Sequence, residues 1–297
     1  MTSGQLSSTG RFYFASVFSG RFIMFTGYRL YLYCLLASLL LPSTLVAGPM
    51  FDTHLHYSAA DAKILSPKAV IETLDRNAIS YAVVTGMPAS QVSDLYSYAP
   101  ERIIPMLGVY REHADKADWH EDVSLPSYVE TELEQGPWRG VGELHIFARD
   151  RRSPVFRRIV ELVYSRQLPM LIHSDPAVID TVYDIAPTMQ LIWAHAGTFP
   201  YPDLVADYLQ RYPTLLVDLS MRDERIAPQG RLDDAWYELF VTYPDRFVVG
   251  VDSYSTSRWK AFDAVVAGIH HWLSQLPDDV AEKLAYGNAE ALYKKSE

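Results

Sequence analysis

Cysteine occurs once in the 297 residues, at Cys34, and it lies in an N-terminal stretch with a composition of its own. Beyond that stretch the chain has no thiol, so disulfides and thiolate nucleophiles are excluded and any redox compartment suits it. Acidic residues are missing from the first 47 positions, which hold Arg11, Arg21 and Arg29 and an apolar run from Leu30 to Leu41. At about 12 residues the run falls short of the roughly 20 that span a bilayer, and it matches the apolar centre of a signal peptide. Pro42 ends the run, and Ala47 and Gly48 supply small residues for cleavage. Residues 1–48 therefore read as a signal peptide. Translation from Met24 is an alternative start, and an uncleaved anchor is an alternative fate. The apolar residues that follow Cys34 argue against lipid attachment there. The mature chain is expected outside the cytoplasm, in the periplasm or secreted, with no stable insertion in a membrane.

A cationic excess is also missing. Lys and Arg number 26 against 36 Asp and Glu, a net charge of −10. Without the three leader arginines it falls to about −13. Such a surface repels polyanions, so nucleic acid is not expected as a partner. A small-molecule substrate is the better match, with the chain as a monomer or a homodimer. Glycine is absent from Tyr57 to Ala62, where a doubly wound dinucleotide fold would need its phosphate turn, which leaves that open sheet as the weaker alternative. No Gly/Ser-rich linker or low-complexity tract divides residues 49–297, so they read as one domain.

What is present is alternation. Eight short apolar runs recur from Met50 onward: 50–57, 81–87, 103–111, 140–147, 170–174, 191–195, 215–220 and 247–252. Between them lie helix-length segments, such as 154–167 and 232–243, with apolar residues three and four apart. Pro67, Pro154 and Pro202 mark first helical turns. Strands alternating with helices build parallel βαβ units, and about 250 residues suffice for a single-domain α/β structure of the (β/α)8 barrel type.

Residues two apart on a strand face the same side, so His54 and His56 project together and can hold a divalent ion. Alone, the pair is as compatible with two incidental histidines. Four other strands end in polar residues after apolar runs: Glu143 in GVGELHI, His173 in PMLIHSD, His195 in LIWAHAG and Asp252 in VVGVDSY. In a closed parallel barrel those ends meet at one mouth, where a metal offsets the cost of burying carboxylate and imidazole. Arg111 and Arg222 follow the third and seventh runs and would clamp a substrate carboxylate, or else pair at the surface with Glu112 and Asp223. His145, on the face of Glu143, and Tyr57 are expected in the substrate pocket, while His270 and His271 stand mid-helix and away from it.

FDTHLHY at the first strand end, followed in order by Glu143, His173, His195 and Asp252, resembles the metal-dependent amidohydrolase superfamily. The tail YGNAEALY and the pairing of AHAGTFP with YPDRFVVGVDSY are similar to its amidohydrolase-related branch, which includes aminocarboxymuconate-semialdehyde decarboxylases and lactonases. The resemblance implies that His54, His56, His173 and Asp252 hold a metal, Zn2+ first, as one ion or two. It implies His195 as a further ligand or as the acid/base, while Asp252, a carboxylate beside metal and water, is suited to take the proton and pass it to the leaving group. Glu143 matches a carboxylate that bridges two metals in DNase-like relatives. No lysine stands at the fourth or fifth strand end to be carboxylated. The activity implied is hydrolysis of a small lactone, ester or amide by metal-activated water, with non-oxidative decarboxylation of an unsaturated or aromatic acid as the alternative. Export favours hydrolysis. A phosphodiesterase, or a silent barrel that only binds ligand, stands as a further alternative.

Overall fold

The structure, a computed structural model, describes residues 48–294. The signal-peptide reading of residues 1–48, Cys34 and Met24 included, thus lies outside the described residues apart from Gly48. Among the described residues no helix is long and apolar enough to cross a membrane.

Eight parallel strands follow one another, each succeeded by a helix: β1 (Met50–His56), β2 (Ile79–Thr85), β3 (Ile103–Pro105), β4 (Val141–Ile146), β5 (Met170–Ser174), β6 (Leu191–Trp193), β7 (Leu215–Asp218) and β8 (Phe247–Val248). The crossing helices are α1 (Pro67–Arg76), α2 (Ala89–Tyr98), α3 (Leu125–Gln135), α4 (Pro154–Ser165), α5 (Pro176–Ile185), α6 (Pro202–Arg211), α7 (Asp234–Thr242) and α8 (Phe262–Leu273). Pro67, Pro154, Pro176 and Pro202 each occupy a first helical turn, where a missing N–H costs nothing. Ser66 and Ser153 cap two of these turns by accepting backbone N–H groups.

The strands run β1-β2-β3 and β4 through β8 in sequence order. Hydrogen bonds close both seams between the two sets. At one, Leu107 N donates to Gly140 O at 2.9 Å and Gly142 N to Leu107 O at 2.9 Å. At the other, Thr53 N donates to Val249 O at 2.9 Å and Asp252 N to His54 O at 2.7 Å. The result is the expected barrel.

One apolar layer joins strands to helices. A second fills the barrel near the strand starts, where Phe51, Val83, Met106, Leu171, Ile192 and Val248 meet Ala289 and Tyr293 of the last helix, α9 (Asn288–Tyr293). Asn288 fixes that helix by donating to Pro244 O and Phe247 O, each at 2.8 Å. This end is plugged by side chains, so function falls to the opposite rim.

Strand alternation alone would not bring β1 to that rim correctly. Phe51 faces the barrel interior, yet Leu55 packs outward. A register shift between Asp52 and Leu55 reverses the parity and turns His54 and His56 inward. A second shift, between Val141 and Leu144, does the same for Glu143 and His145 on β4. Gly142 sits at that shift with φ of 148°, and a Cβ there would lie 2.4 Å from Leu171 O. Glycine is needed at this point.

Candidate metal centre

Seven of the sequence-selected residues meet above the plugged end: His54, His56, Glu143, His145, His173, His195 and Asp252. His54 Nε2 and His56 Nε2 stand 3.2 Å apart. Asp252 Oδ1 lies 3.2 Å from His56 Nε2 and 3.8 Å from His54 Nε2. It is buried and makes no hydrogen bond of good geometry. Two imidazole nitrogens and an orphaned carboxylate oxygen around one point form a donor set that a divalent cation completes.

Glu143 stands beside this trio. Its Oε1 lies 3.1 Å from His195 Nε2 and 3.0 Å from His173 Nδ1, and its Oε2 lies 3.0 Å from His145 Nε2. His56 Nε2 is 3.6 Å and His54 Nε2 3.7 Å from Oε2. The expected quartet of His54, His56, His173 and Asp252 is therefore divided. His173 pairs across the β4–β5 ladder with His145, their rings stacked at 4.6 Å, and joins Glu143 in a separate group of three.

The charges show what the cluster demands. Burial opposes the charged form of His54, but Asp252, Asp218 and Glu143 outweigh it and raise its pKa well above the ordinary value. Burial likewise opposes ionisation of Glu143 and Asp252, yet His54 and neighbouring imidazoles hold both below the usual carboxylate range. The carboxylates stay ionised and require a positive partner among them. A divalent ion would meet that need, with the lone pairs of neutral imidazoles as its donors.

Asp218 at the end of β7 was not selected from the sequence. Fully buried, its Oδ2 accepts from His54 Nδ1 at 2.9 Å, from His195 N at 3.1 Å and from Ser220 Oγ at 2.5 Å. Burial would raise its pKa, but His54 and these hydrogen bonds bring it down to about 2. A signal existed: LLVD is one more apolar run that ends in a carboxylate. His195 Nδ1 is taken up by Ser220 O at 3.1 Å and Ser220 Oγ at 2.9 Å, which turns Nε2 toward Glu143.

His195, Met221 and Asp252 have φ of 59°, 62° and 52°. This left-handed region costs a non-glycine residue about 1 kcal/mol or more, and its concentration at one rim marks a place where geometry outweighs stability. Gly250 allows the last of these turns, because a Cβ there would come within 2.7 Å of His54 Cβ.

A cavity of about 310 Å³ opens over the cluster, walled by Lys116, His145, His173, Met221, Arg222 and Tyr254. Two expectations fail here. Arg111 is not in the wall, since its guanidinium is tied to Asp115 at 3.1 Å and Asp122 at 2.5 Å on its own loop. Tyr57 lies on the outward face of β1 with Leu55, and its hydroxyl donates to Leu65 O at 2.7 Å. Arg222 does line the cavity but donates to His195 O and Gly197 O, and Asp223 accepts instead from Trp272. Lys116, on the turn His113–Ala117, is an additional wall residue that the sequence did not single out.

The family model described as amidohydrolase matches residues 131–295. This chain belongs to the amidohydrolase family. The matched region spans β4 to α9 and so contains Glu143, His173, His195, Asp218 and Asp252. No curated protein sequence matches this amidohydrolase significantly. Similar solved structures include an amidohydrolase from Burkholderia multivorans with bound HEPES, at 16% identity and a TM-score of 0.54, covering 84% of this chain and 100% of that one. A putative 2-pyrone-4,6-dicarboxylic acid hydrolase from Pseudomonas putida has 15% identity and a TM-score of 0.60 over 83% and 97%. YjjV, a TatD homologue from Escherichia coli K12, has 13% identity and a TM-score of 0.61 over 83% and 98%. These likenesses show the fold, and the family makes the chain an enzyme of the metal-dependent amidohydrolase type.

Proposed function

We propose that this amidohydrolase is exported and hydrolyses a small carboxylic-acid derivative, a lactone, ester or amide, at a metal centre built on His54, His56 and Asp252. The observation that carries the reading is the orphaned, buried Oδ1 of Asp252 beside two converging imidazoles at the floor of the cavity. Glu143 and His195 complete the donor set, and Glu143 is placed to be shared if a second ion enters. Zn2+ suits three imidazoles with carboxylates. When bound, a divalent ion acidifies water and polarises a carbonyl oxygen.

The chain's own groups handle the protons. Asp252 is an anion at the cavity floor and accepts the proton from the attacking water, then returns it to the leaving alcohol or amine, a role typically worth about 10²–10⁴ in rate. His195 has Nδ1 held by Ser220 and presents a fixed Nε2 to the same region; where that nitrogen does not serve as a ligand, it stabilises the developing oxyanion or shares that proton. Asp218 keeps the His54 proton on Nδ1 and leaves Nε2 as the lone pair. The acidic surface and the small cavity support a small-molecule substrate over nucleic acid.

The test is metal analysis of the purified mature chain with a panel of lactones, esters and amides. Stoichiometric metal and release of an acid with an alcohol or amine are expected. Carbon dioxide release would move the assignment to decarboxylation, and a chain that neither holds nor takes up metal would remove the enzyme reading. N-terminal sequencing of the exported protein, expected to begin after Ala47 or Gly48, tests the signal peptide.

A further inference from the structure

Two cations stand in the cavity wall, Lys116 and Arg222, and among the described residues neither is paired directly with a carboxylate. Lys116 Nζ is 3.4 Å from His145 Nε2 and 5.4 Å from the centre of the Tyr110 ring. Arg222 spends its Nε and Nη2 on two backbone carbonyls. Among the described residues neither cation has a carboxylate salt-bridge partner, although the chain as a whole is strongly acidic. Arg222 is partly withdrawn from water. An anion in the cavity would relieve both.

Lys116 is also held in place. Arg111 bonds Asp115 and Asp122, one on each side of Lys116 in sequence, and so staples both ends of the segment that carries it. Trp119, buried a few residues on, donates from Nε1 to His145 O at 2.9 Å and anchors that segment to β4. The loop thus presents its ammonium at a fixed position beside the strand that bears Glu143, and a ligand need not order it on binding.

We propose that the substrate bears a carboxylate away from the bond that reacts, and that Lys116 binds it, with Arg222 as the second cation of the pocket. Lys116 is then a specificity-determining residue, and Arg111 is a positioning residue that acts through it. The inference rests on the reading of this cavity as the hydrolytic site.

Two measurements on the metal-loaded protein separate the inference from that reading. Calorimetric binding of glutarate, of its uncharged diamide and of inorganic phosphate requires no turnover. Glutarate should bind and its diamide should not, and Lys116→Met should weaken glutarate at least about tenfold with metal content unchanged. Lys116→Arg should recover most of that loss. For turnover, the ratio of kcat/KM for γ-carboxy-γ-butyrolactone over γ-butyrolactone should exceed one and fall at least about tenfold in Lys116→Met, chiefly through KM. Equal glutarate affinity in wild type and Lys116→Met would overturn the inference, as would equal binding of glutarate and its diamide. Phosphate binding more tightly than glutarate would overturn the carboxylate assignment. Charge-selective, Lys116-dependent binding without turnover of any lactone, ester or amide would instead support the anion site and remove the hydrolytic reading.

Discussion

Asp218 Oδ2 lies 2.9 Å from His54 Nδ1 and 3.1 Å from the His195 amide, so one buried carboxylate orients two of the centre's histidines. Asp218→Asn keeps the shape but replaces an oxygen that accepts on both sides with an amide that does not. Metal affinity, measured by chelator competition, should fall about 10–100-fold. Wild-type affinity in that variant would show that Asp218 is only a packing residue.

Metal and stability should be coupled. Chelation should lower the Tm, and resupply at about 100 times the Kd should restore about 2.7 kcal/mol. His56→Ala is the sharper variant, because His54→Ala would also strip the buried Asp218 carboxylate of its imidazole partner. The gap between wild type and His56→Ala should be wide with metal and narrow after chelation. Equal gaps in both states would assign His56 a packing role.

Gly250→Ala adds one methyl where His54 Cβ and N lie 2.7 and 2.9 Å away. Either β1 or the turn to Asp252 must shift, at a cost of about 1–3 kcal/mol. Bound metal should drop together with the denaturant midpoint, and a variant of unchanged metal content would show that the rim absorbs the methyl without moving the donors.

His270 on α8 is partly buried with an unpartnered Nε2, and burial lowers its pKa. The unfolded chain therefore binds the proton more readily than the folded one. Above the ordinary value of 6.5 both are neutral and no stability is lost. As pH falls below it, protonation favours unfolding. Wild type should lose stability relative to His270→Leu between pH 7 and 5, and a pH-independent difference would contradict this.

The sequence made most of this visible because each strand ends abruptly in chemistry. His54, His56, Glu143, His195 and Asp252 follow apolar runs, and a buried charge after such a run has few structural uses. Asp218 was passed over although LLVD has the same form, because the serine and methionine after it blur the strand's end. Tyr57 was misplaced for want of one parity step: with His54 and His56 inward, Leu55 and Tyr57 must face out. Arg111 looked available until its loop folded back, which brought Asp115 and Asp122 to it. The run 247–252 is only partly strand, since the left-handed turn at Asp252 follows from the approach of Gly250 to His54, which no local pattern encodes. His173 reached the rim as expected, but the pairing of β4 with β5 delivered it to His145 and Glu143.

The seam between β1 and the end of β8 also dictates when the centre can exist. Thr53 and Val249 are 196 residues apart in sequence, and the donors on either side of that seam belong to the first and last portions of the barrel. A fragment that stops short of Asp252 carries only one side of the donor set formed by His54, His56 and Asp252, so it should not reproduce the metal affinity of the full barrel.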